Sequence, residues 1–156
     1  MSRKNDNRKL EYDEHAMKLG IRLYKEGEIP LELLYHLMKN QRLKSFSAIM
    51  LQSGMEGFDT FLQTHKRSTD LFHVIDREEN IYALLCQETQ VDGGFYFIKR
   101  LAKLAEDQGE KEIRAAIIGV ESTNYSVKDL IFIILDTFVR TGNPESSEKI
   151  IFRTIR

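Results

Sequence analysis

The composition of the chain excludes several classes of protein. In 156 residues, apolar side chains make up 42% and charged ones 30%, which is typical of one soluble globular domain rather than a disordered or membrane-spanning chain. The 23 lysines and arginines nearly balance the 24 acids, so we expect no broad surface for DNA or RNA. The N-terminal residues lack the apolar core of a signal peptide, and Cys86 is the single cysteine, so the sequence predicts a cytoplasmic protein without a membrane partner.

The N-terminal quarter of the sequence predicts two helices. Leu10, Met17, Ile21 and Tyr24 fall on one helical face, and this pattern ends near Gly27. A second helix is expected to start at the following proline, which the first turn of a helix tolerates. It runs to about residue 40 through apolar residues at helical spacing, namely Leu31, Leu34, Tyr35 and Met38. We therefore expect an amphipathic helical extension over residues 1–27 and a domain over residues 28–156.

The rest of the chain alternates between strand-like and helical segments. The patterns predict a strand at SFSAIMLQ, a helix from Phe58 to His65, and a hairpin made of LFHVI and IYALLC. A helix capped by Asp92, a strand at EIRAAIIGVE, a helix capped by Ser126 and a strand at KIIFRTI follow. The order βαββαβ plus αβ predicts an α+β fold with a ferredoxin-like or palm-type core, additional N-terminal helices, and the two core helices on one face of the sheet.

The predicted hairpin has an unusually charged connection. Its five residues are Asp76, Arg77, Glu78, Glu79 and Asn80, and they separate two apolar segments. Tight hairpin turns usually use glycine or asparagine because the favoured turn types need positive φ angles. This connection contains no glycine, so its charges need another explanation.

The element order and the hairpin together resemble the GGDEF domain, the palm-type fold of diguanylate cyclases. The family pattern DLVARLGGDEFAVLL has a formal counterpart in DLFHVIDREENIYALL, where the charged turn takes the signature position. The segments AAIIGVE and DLIFIILDTFVRTGN resemble the family's later strand and its last helix. The resemblance extends from about residue 28 to the C terminus, and it implies a bacterial signalling domain.

The segment RSTD, residues 67–70, matches the RxxD motif that lies five residues before GGDEF in cyclases with product inhibition. The resemblance implies a cyclic di-GMP site formed by Arg67 and Asp70, with Arg100 from the following helix and Lys99 behind it. An arginine fork matches guanine O6 and N7, and an aspartate can accept from the guanine N1 and N2 hydrogens. An RxxD pattern elsewhere would more often be a solvated loop, so its register before the turn carries this prediction.

Two departures from the family pattern predict that synthesis has been lost. The family binds its catalytic metal ions with hairpin acids and an Asp at the end of the first strand, but this strand ends in Gln52, Ser53 and Gly54. Asp76 and Arg77 stand where two glycines let the backbone approach the nucleotide. We therefore expect no metal and no cofactor, and an enzyme that relies on the two hairpin glutamates is the least favoured alternative.

The remaining candidate residues favour structural roles. The four histidines lack metal-ligand spacing, and His73 in an apolar strand is expected to be a satisfied structural histidine. Cys86 is expected to pack in the core, and Gly93-Gly94 to form a strand-to-helix turn.

The sequence thus predicts a catalytically inactive receptor that binds cyclic di-GMP and acts through an unidentified protein partner. A second copy of the chain is among the partners left open. The main alternative is an interaction module with the same fold that binds no nucleotide and docks a partner through its N-terminal helix or its charged hairpin.

Overall fold

The computed structural model describes residues 12–109, 112–143 and 149–156. The elements are, in chain order, α1 (Glu14–Lys39), β1 (Phe46–Ser53), α2 (Phe58–His65), β2 (Asp70–Asp76), β3 (Ile81–Gln87), α3 (Val91–Asp107), β4 (Ile113–Val120), α4 (Val127–Thr141) and β5 (Ile150–Ile155). The predicted order of strands and helices from β1 onward is confirmed. Within the described ranges, no helix is long and apolar enough to cross a membrane.

The five strands form one sheet in the order β2-β3-β1-β4-β5. β1 pairs antiparallel with both β3 and β4, β2 pairs antiparallel with β3, and β5 runs parallel to β4. β1 is central and almost wholly buried, which is why its sequence is a continuous apolar run rather than an alternating one. The α+β class and the palm-type core predicted from the sequence are confirmed.

The side chains of the sheet divide between two hydrophobic clusters. Ala48 and Met50 of β1 pack with α1 and α4 on one face. Ile49 and Leu51 pack with α2 and α3 on the other face. Successive side chains of a strand point to opposite faces, so one central strand supplies both clusters. The two core helices α2 and α3 share a face as predicted, and α1 and α4 cover the face that a bare βαββαβ core would leave open.

The structure corrects the two-helix prediction for the N-terminal region. α1 is one continuous helix of 26 residues that contains both Gly27 and Pro30, so the predicted boundary at residues 27/28 falls inside it. Gly27 is buried, and α1 packs against α4 and the sheet. Tertiary packing therefore overrides the weak local helix preference of glycine and proline.

The buried face of α1 also differs from the predicted one. Met17 and Ile21 are 57% and 62% exposed, whereas Leu19 and Leu23 are buried in the core. Leu10, the first residue of the predicted apolar face, lies outside the described residues. The exposed pair therefore forms part of the outer surface rather than the core.

The helix caps are predicted correctly in one case and wrongly in the other. Ser126 caps α4, since its hydroxyl accepts a hydrogen bond from the backbone N–H of Asp129 at 3.0 Å. Asp92 does not cap α3, which begins two residues earlier than predicted, after Gln90. The Asp92 carboxylate instead accepts from the backbone N–H of Gly93. Gly93 and its neighbour Gly94 therefore lie within the first turn of α3 rather than in a turn before it.

Candidate functional site

An open cleft of about 720 Å³ lies where β2 begins, β3 ends and α3 begins. Its lining includes three basic and three acidic residues, namely Lys44, Arg67, Arg100, Asp70, Glu88 and Asp92. Their formal charges balance, so the cleft has no strong field of either sign. Any anionic ligand would depend on how individual side chains are placed.

Arg67 and Asp70 form an ion pair at the wall of this cleft. The Nε and Nη2 atoms of Arg67 donate to Oδ1 of Asp70 at 3.2 and 2.9 Å, and Oδ2 accepts from the backbone N–H of Arg67 at 2.9 Å. The Asp70 side chain is only 2% exposed, whereas the Arg67 side chain is 53% exposed. The hydrogen bonding of its guanidinium to the Asp70 carboxylate raises the pKa of Arg67. Asp70 thus holds Arg67 in position, and in this structure its oxygens are occupied by Arg67 rather than turned to a ligand.

The guanidinium of Arg67 is also tied to the end of β3. Its Nη2 donates to the carbonyl oxygen of Gln87 at 2.8 Å and to Oγ1 of Thr89 at 2.6 Å. Among the described residues, its hydrogen bonds use Nε and Nη2, which leaves Nη1 for a ligand. Gln87 and Thr89 were not predicted from the sequence as partners of Arg67. The one sequence feature that points to them is strand register, because Asp70 pairs with Cys86 across the hairpin and Gln87 and Thr89 follow Cys86 closely in the chain.

The helix α3 supplies the opposite wall of the cleft. Arg100 lines it together with Tyr96 and Phe97, and the Arg100 guanidinium lies 5.4 Å from the centre of the Phe97 ring. These three residues share one side of α3 because of their helical spacing. Lys99 lies elsewhere on the helix, with its Nζ 5.8 Å from the centre of the Phe95 ring, and it is not among the residues that line the cleft. The structure therefore brings Arg67, Asp70 and Arg100 together and leaves Lys99 apart.

The two aromatic residues of this wall were also missed. Tyr96 is 70% exposed, and Phe97 is partly exposed. Flat, accessible aromatic rings beside cations are surfaces on which nucleobases can stack.

The side chains of Cys86 and His73 have structural roles in the folded chain. Cys86 is buried, as expected, and burial raises the pKa of its thiol, so it stays protonated and unreactive. The prediction that the side chain of His73 has its hydrogen bonds satisfied is wrong. Its Nε2 is buried without a hydrogen-bond partner among the described residues. Burial also lowers the pKa of His73. No ligand role follows from either residue.

Charged residues of the hairpin turn pair with neighbouring helices. Asp76 forms an ion pair with Arg22 of α1 at 2.8 Å, and Arg77 forms one with Asp59 of α2 at 3.0 Å. Glu78 is exposed. The turn is therefore anchored from both faces of the sheet, which accounts for two of its four charged residues.

Asn80 has the positive φ angle for which a tight hairpin turn usually uses glycine. Its φ angle is 56°, in the left-handed region that asparagine tolerates better than most residues. Its Nδ2 donates to the carbonyl oxygen of Met55 at 2.9 Å, and its Oδ1 accepts from the Tyr82 hydroxyl at 3.1 Å. Asn80 thus closes the turn and joins it to the loop after β1.

A second, smaller cleft lies at the end of β1, beside the hairpin turn. Gln52 and Arg114 are cross-strand partners there, and Nε of Arg114 donates to Oε1 of Gln52 at 2.6 Å. Nε2 of Gln52 in turn donates to the carbonyl oxygen of Glu79 at 2.8 Å. Burial lowers the pKa of Arg114. This is the position where the family resemblance implies a metal site.

The residues at this position do not fit a metal ion. Among the described residues, no group of three or more His, Cys, Asp or Glu side chains is arranged to hold one. Gln52, Ser53 and Gly54 supply no carboxylate at the end of β1, and a guanidinium lies against Gln52.

No family model matches this sequence, and no curated protein does. Two solved structures from Pseudomonas aeruginosa share its fold. The GGDEF domain of FimX superposes with a TM-score of 0.58 and 12% identity, over 80% of this chain and 90% of that chain. The diguanylate cyclase SiaD, in complex with its activator SiaC, superposes with a TM-score of 0.56 and 11% identity, over 81% of this chain and 57% of that chain. At these identities the likeness establishes the fold alone, and that fold is the GGDEF-like one.

Proposed function

We propose that this chain is a catalytically inactive GGDEF-like receptor that binds cyclic di-GMP and signals through contacts with a partner protein. The observation that carries the proposal is the shared cleft of Arg67 and Arg100, two arginines from separate elements that face one space lined with aromatic rings. The ligand combines guanine edges, base faces and phosphates. Each of these has a matching group in the cleft.

Arg67 is the guanine-recognising residue in this proposal. Its guanidinium is planar and already fixed by Asp70 and Thr89, so little side-chain entropy is lost when a ligand binds. Its remaining donor, Nη1, donates to O6 or N7 of guanine. Asp70 acts by positioning Arg67. This role replaces the direct contact of Asp70 with guanine N1 and N2 that was predicted from the sequence.

Arg100 and the aromatic wall bind the rest of the ligand. The Arg100 guanidinium binds a phosphate or the second guanine, and Tyr96 and Phe97 offer faces on which a base stacks. Lys99 lies outside the cleft wall, so we no longer place it in the site.

The proposal that synthesis is lost rests on the second cleft and the hairpin. Gln52, Ser53 and Gly54 stand where the family has a metal-binding carboxylate, and Gln52 is hydrogen-bonded to Arg114. Side chains at Asp76 and Arg77 occupy turn positions that are glycines in the family motif, and both are held by ion pairs. Triphosphate cyclization needs divalent metal ions to neutralise charge. These residues do not provide for them.

Isothermal titration with cyclic di-GMP tests the receptor function. We expect binding to the unmodified chain and its loss, or a weakening of at least about tenfold, in Arg67→Lys and Arg100→Ala, because the fork geometry or a cation is removed. Arg67→Lys keeps the charge beside Asp70 and so protects the fold.

The matched controls are Arg77→Ala, an exposed and paired arginine away from the cleft, and Lys99→Ala, the neighbour of Arg100 that points elsewhere. Both should bind like the unmodified chain. Absence of heat with the unmodified chain, or equal affinities in all variants, would refute the receptor function.

The second candidate function is an interaction module without a nucleotide, and a groove between α1 and α4 favours it. The groove is apolar and is lined by Met17, Ile21 and Phe132, which are 57%, 62% and 58% exposed. The charged residues among its described lining are both lysines, Lys25 and Lys128. Its occupant would be an amphipathic helix with acidic residues at its edges.

Ile21→Asp separates the two functions. The residue is mostly exposed, so the fold should persist. If the groove is the functional surface, a synthetic acidic amphipathic helix binds the unmodified chain but not Ile21→Asp, and binds Arg67→Lys normally. If the cleft is the functional site, cyclic di-GMP binds Ile21→Asp with unchanged affinity.

A further inference from the structure

A guanidinium fills the space between the ends of β1 and α4. Besides its bond to Gln52, Arg114 donates through Nη1 to the carbonyl oxygen of Phe138 at 3.2 Å and to Oγ1 of Thr141 at 2.9 Å. Its guanidinium also lies 4.2 Å from the centre of the Phe138 ring, within the range of a cation–π contact. Arg114 is thus held by four separate groups in a partly buried position.

The surroundings of Arg114 leave it little freedom to move away. A Cβ atom at Gly142 would lie 2.7 Å from its Nη1, so glycine is needed there for the guanidinium to fit. The carbonyl oxygen that it binds belongs to the last turn of α4, where the helix dipole favours a positive charge. Arg114 therefore supplies a positive charge to the C-terminal end of this helix.

Gln52 lies between this cation and a carboxylate. Its Nε2 is 3.4 Å from Oε2 of Glu79, while its Oε1 accepts from Arg114. A glutamate at position 52, which has the length of glutamine, would therefore place a carboxylate about as close to Glu79 and would also contact the guanidinium. Two carboxylates at such a distance form a natural pair of divalent-cation ligands, unless another cation already compensates them.

We propose that Arg114 is a resident cation that takes the place of a metal ion in this cleft, so that a carboxylate placed at position 52 alone does not create a metal site. The inference rests on the proposed loss of synthesis and extends it. The cleft already holds a cation, and two changes rather than one are needed before it binds a metal ion. The arginine keeps the strand end, the hairpin turn and α4 joined, which a metal could otherwise do.

The test compares Gln52→Glu with the double variant Gln52→Glu/Arg114→Gln, using Mn²⁺ as the probe and electron paramagnetic resonance to count bound ions. We expect the single variant to bind Mn²⁺ no better than the unmodified chain. The double variant should bind it roughly tenfold or more tightly than the single one, because a guanidinium charge within a few ångströms of the ion is removed. Arg114→Gln alone is the matched control and should not gain affinity.

Equal Mn²⁺ affinity in the single and double variants, or no gain in the double variant, would overturn the proposal. A second measurement stays informative if the double variant does not fold. In that case the Tm of Gln52→Glu is measured with and without Mn²⁺, and the ion should leave it unchanged because Arg114 already compensates the new carboxylate. A rise in the Tm of Gln52→Glu on adding Mn²⁺ would also overturn the proposal. Titration with cyclic di-GMP is independent of both results, so failure here does not bear on the receptor site.

Discussion

The pairing of Arg67 with Asp70 makes one residue important for both binding and stability. Asp70 is almost fully buried, and Arg67 provides two of its hydrogen bonds from the side chain. Removing Arg67 would leave a buried carboxylate with one backbone donor. A buried charge without its partner is destabilising, whereas removing both members together costs much less.

We therefore predict that Arg67→Ala lowers the free energy of unfolding by about 1–3 kcal/mol. Arg67→Ala/Asp70→Ala should recover part of this loss. Urea unfolding of the two variants measures the difference. If the double variant is less stable than the single one by the full cost of Asp70→Ala, the ion pair does not couple the two residues.

His73 predicts a dependence of stability on pH. Burial beneath α1 lowers the pKa of His73, and Glu26, the charged neighbour on α1, opposes the shift only in part. Below about pH 6.5 His73 is protonated in the unfolded chain but stays neutral in the folded chain until a lower pH. The free energy of unfolding therefore falls as the pH drops below about 6.5. His73→Gln should flatten the change in urea midpoint between about pH 7 and 5. The same slope in both proteins would contradict this assignment.

At the level of elements, the β2–β3 hairpin depends on Asn80. The residue combines a positive φ with two side-chain hydrogen bonds. We predict that Asn80→Ala lowers the free energy of unfolding by about 2–3 kcal/mol, because the strain of the left-handed conformation adds to the lost bonds. Asn80→Gly should cost less, since glycine adopts this φ freely. Thermal unfolding of the pair checks the order, and equal losses would exclude a strain term.

The hairpin and the α1 region show what the sequence could and could not predict. The strands were predictable because two apolar segments flank a polar turn, and the Arg67 to Asp70 motif was found by its distance from that turn. Gln87 and Thr89 could not be predicted as partners of Arg67, because only the register between β2 and β3 brings them close to it. The continuity of α1 through Pro30 depends on long-range packing that no local pattern encodes.

At the level of the whole molecule, the two clefts lie at different places on the sheet. One prediction concerns synthesis at the cleft beside the hairpin turn, and another concerns ligand binding at the cleft of Arg67 and Arg100. The cleft at the end of β1 is filled by Gln52 and Arg114. We predict that GTP with Mg²⁺ or Mn²⁺ gives no cyclic dinucleotide. Chromatography of the reaction against a protein-free control measures this, and any product above that control would show that synthesis persists.

The Arg67 and Arg100 cleft should distinguish between bases. We predict that cyclic di-GMP binds more tightly than cyclic di-AMP by roughly 5- to 150-fold, since a hydrogen-bond donor left without its acceptor in the complex costs about 1–3 kcal/mol. Adenine presents an amino donor where guanine has O6, so Arg67 would face a donor. Parallel titrations compare the two ligands. Similar affinities would mean that the cleft recognises phosphate or stacking alone.

The proline inside α1 also has a consequence for how the molecule opens. Pro30 has no backbone N–H, so the helical hydrogen bond that would otherwise reach the carbonyl of Glu26 is missing in the middle of a helix that spans one face of the sheet. The ladder of amide bonds is interrupted there, close to the buried Gly27. We therefore expect α1 to open in two steps, and hydrogen exchange would show this as different protection of the amide protons on the two sides of Pro30.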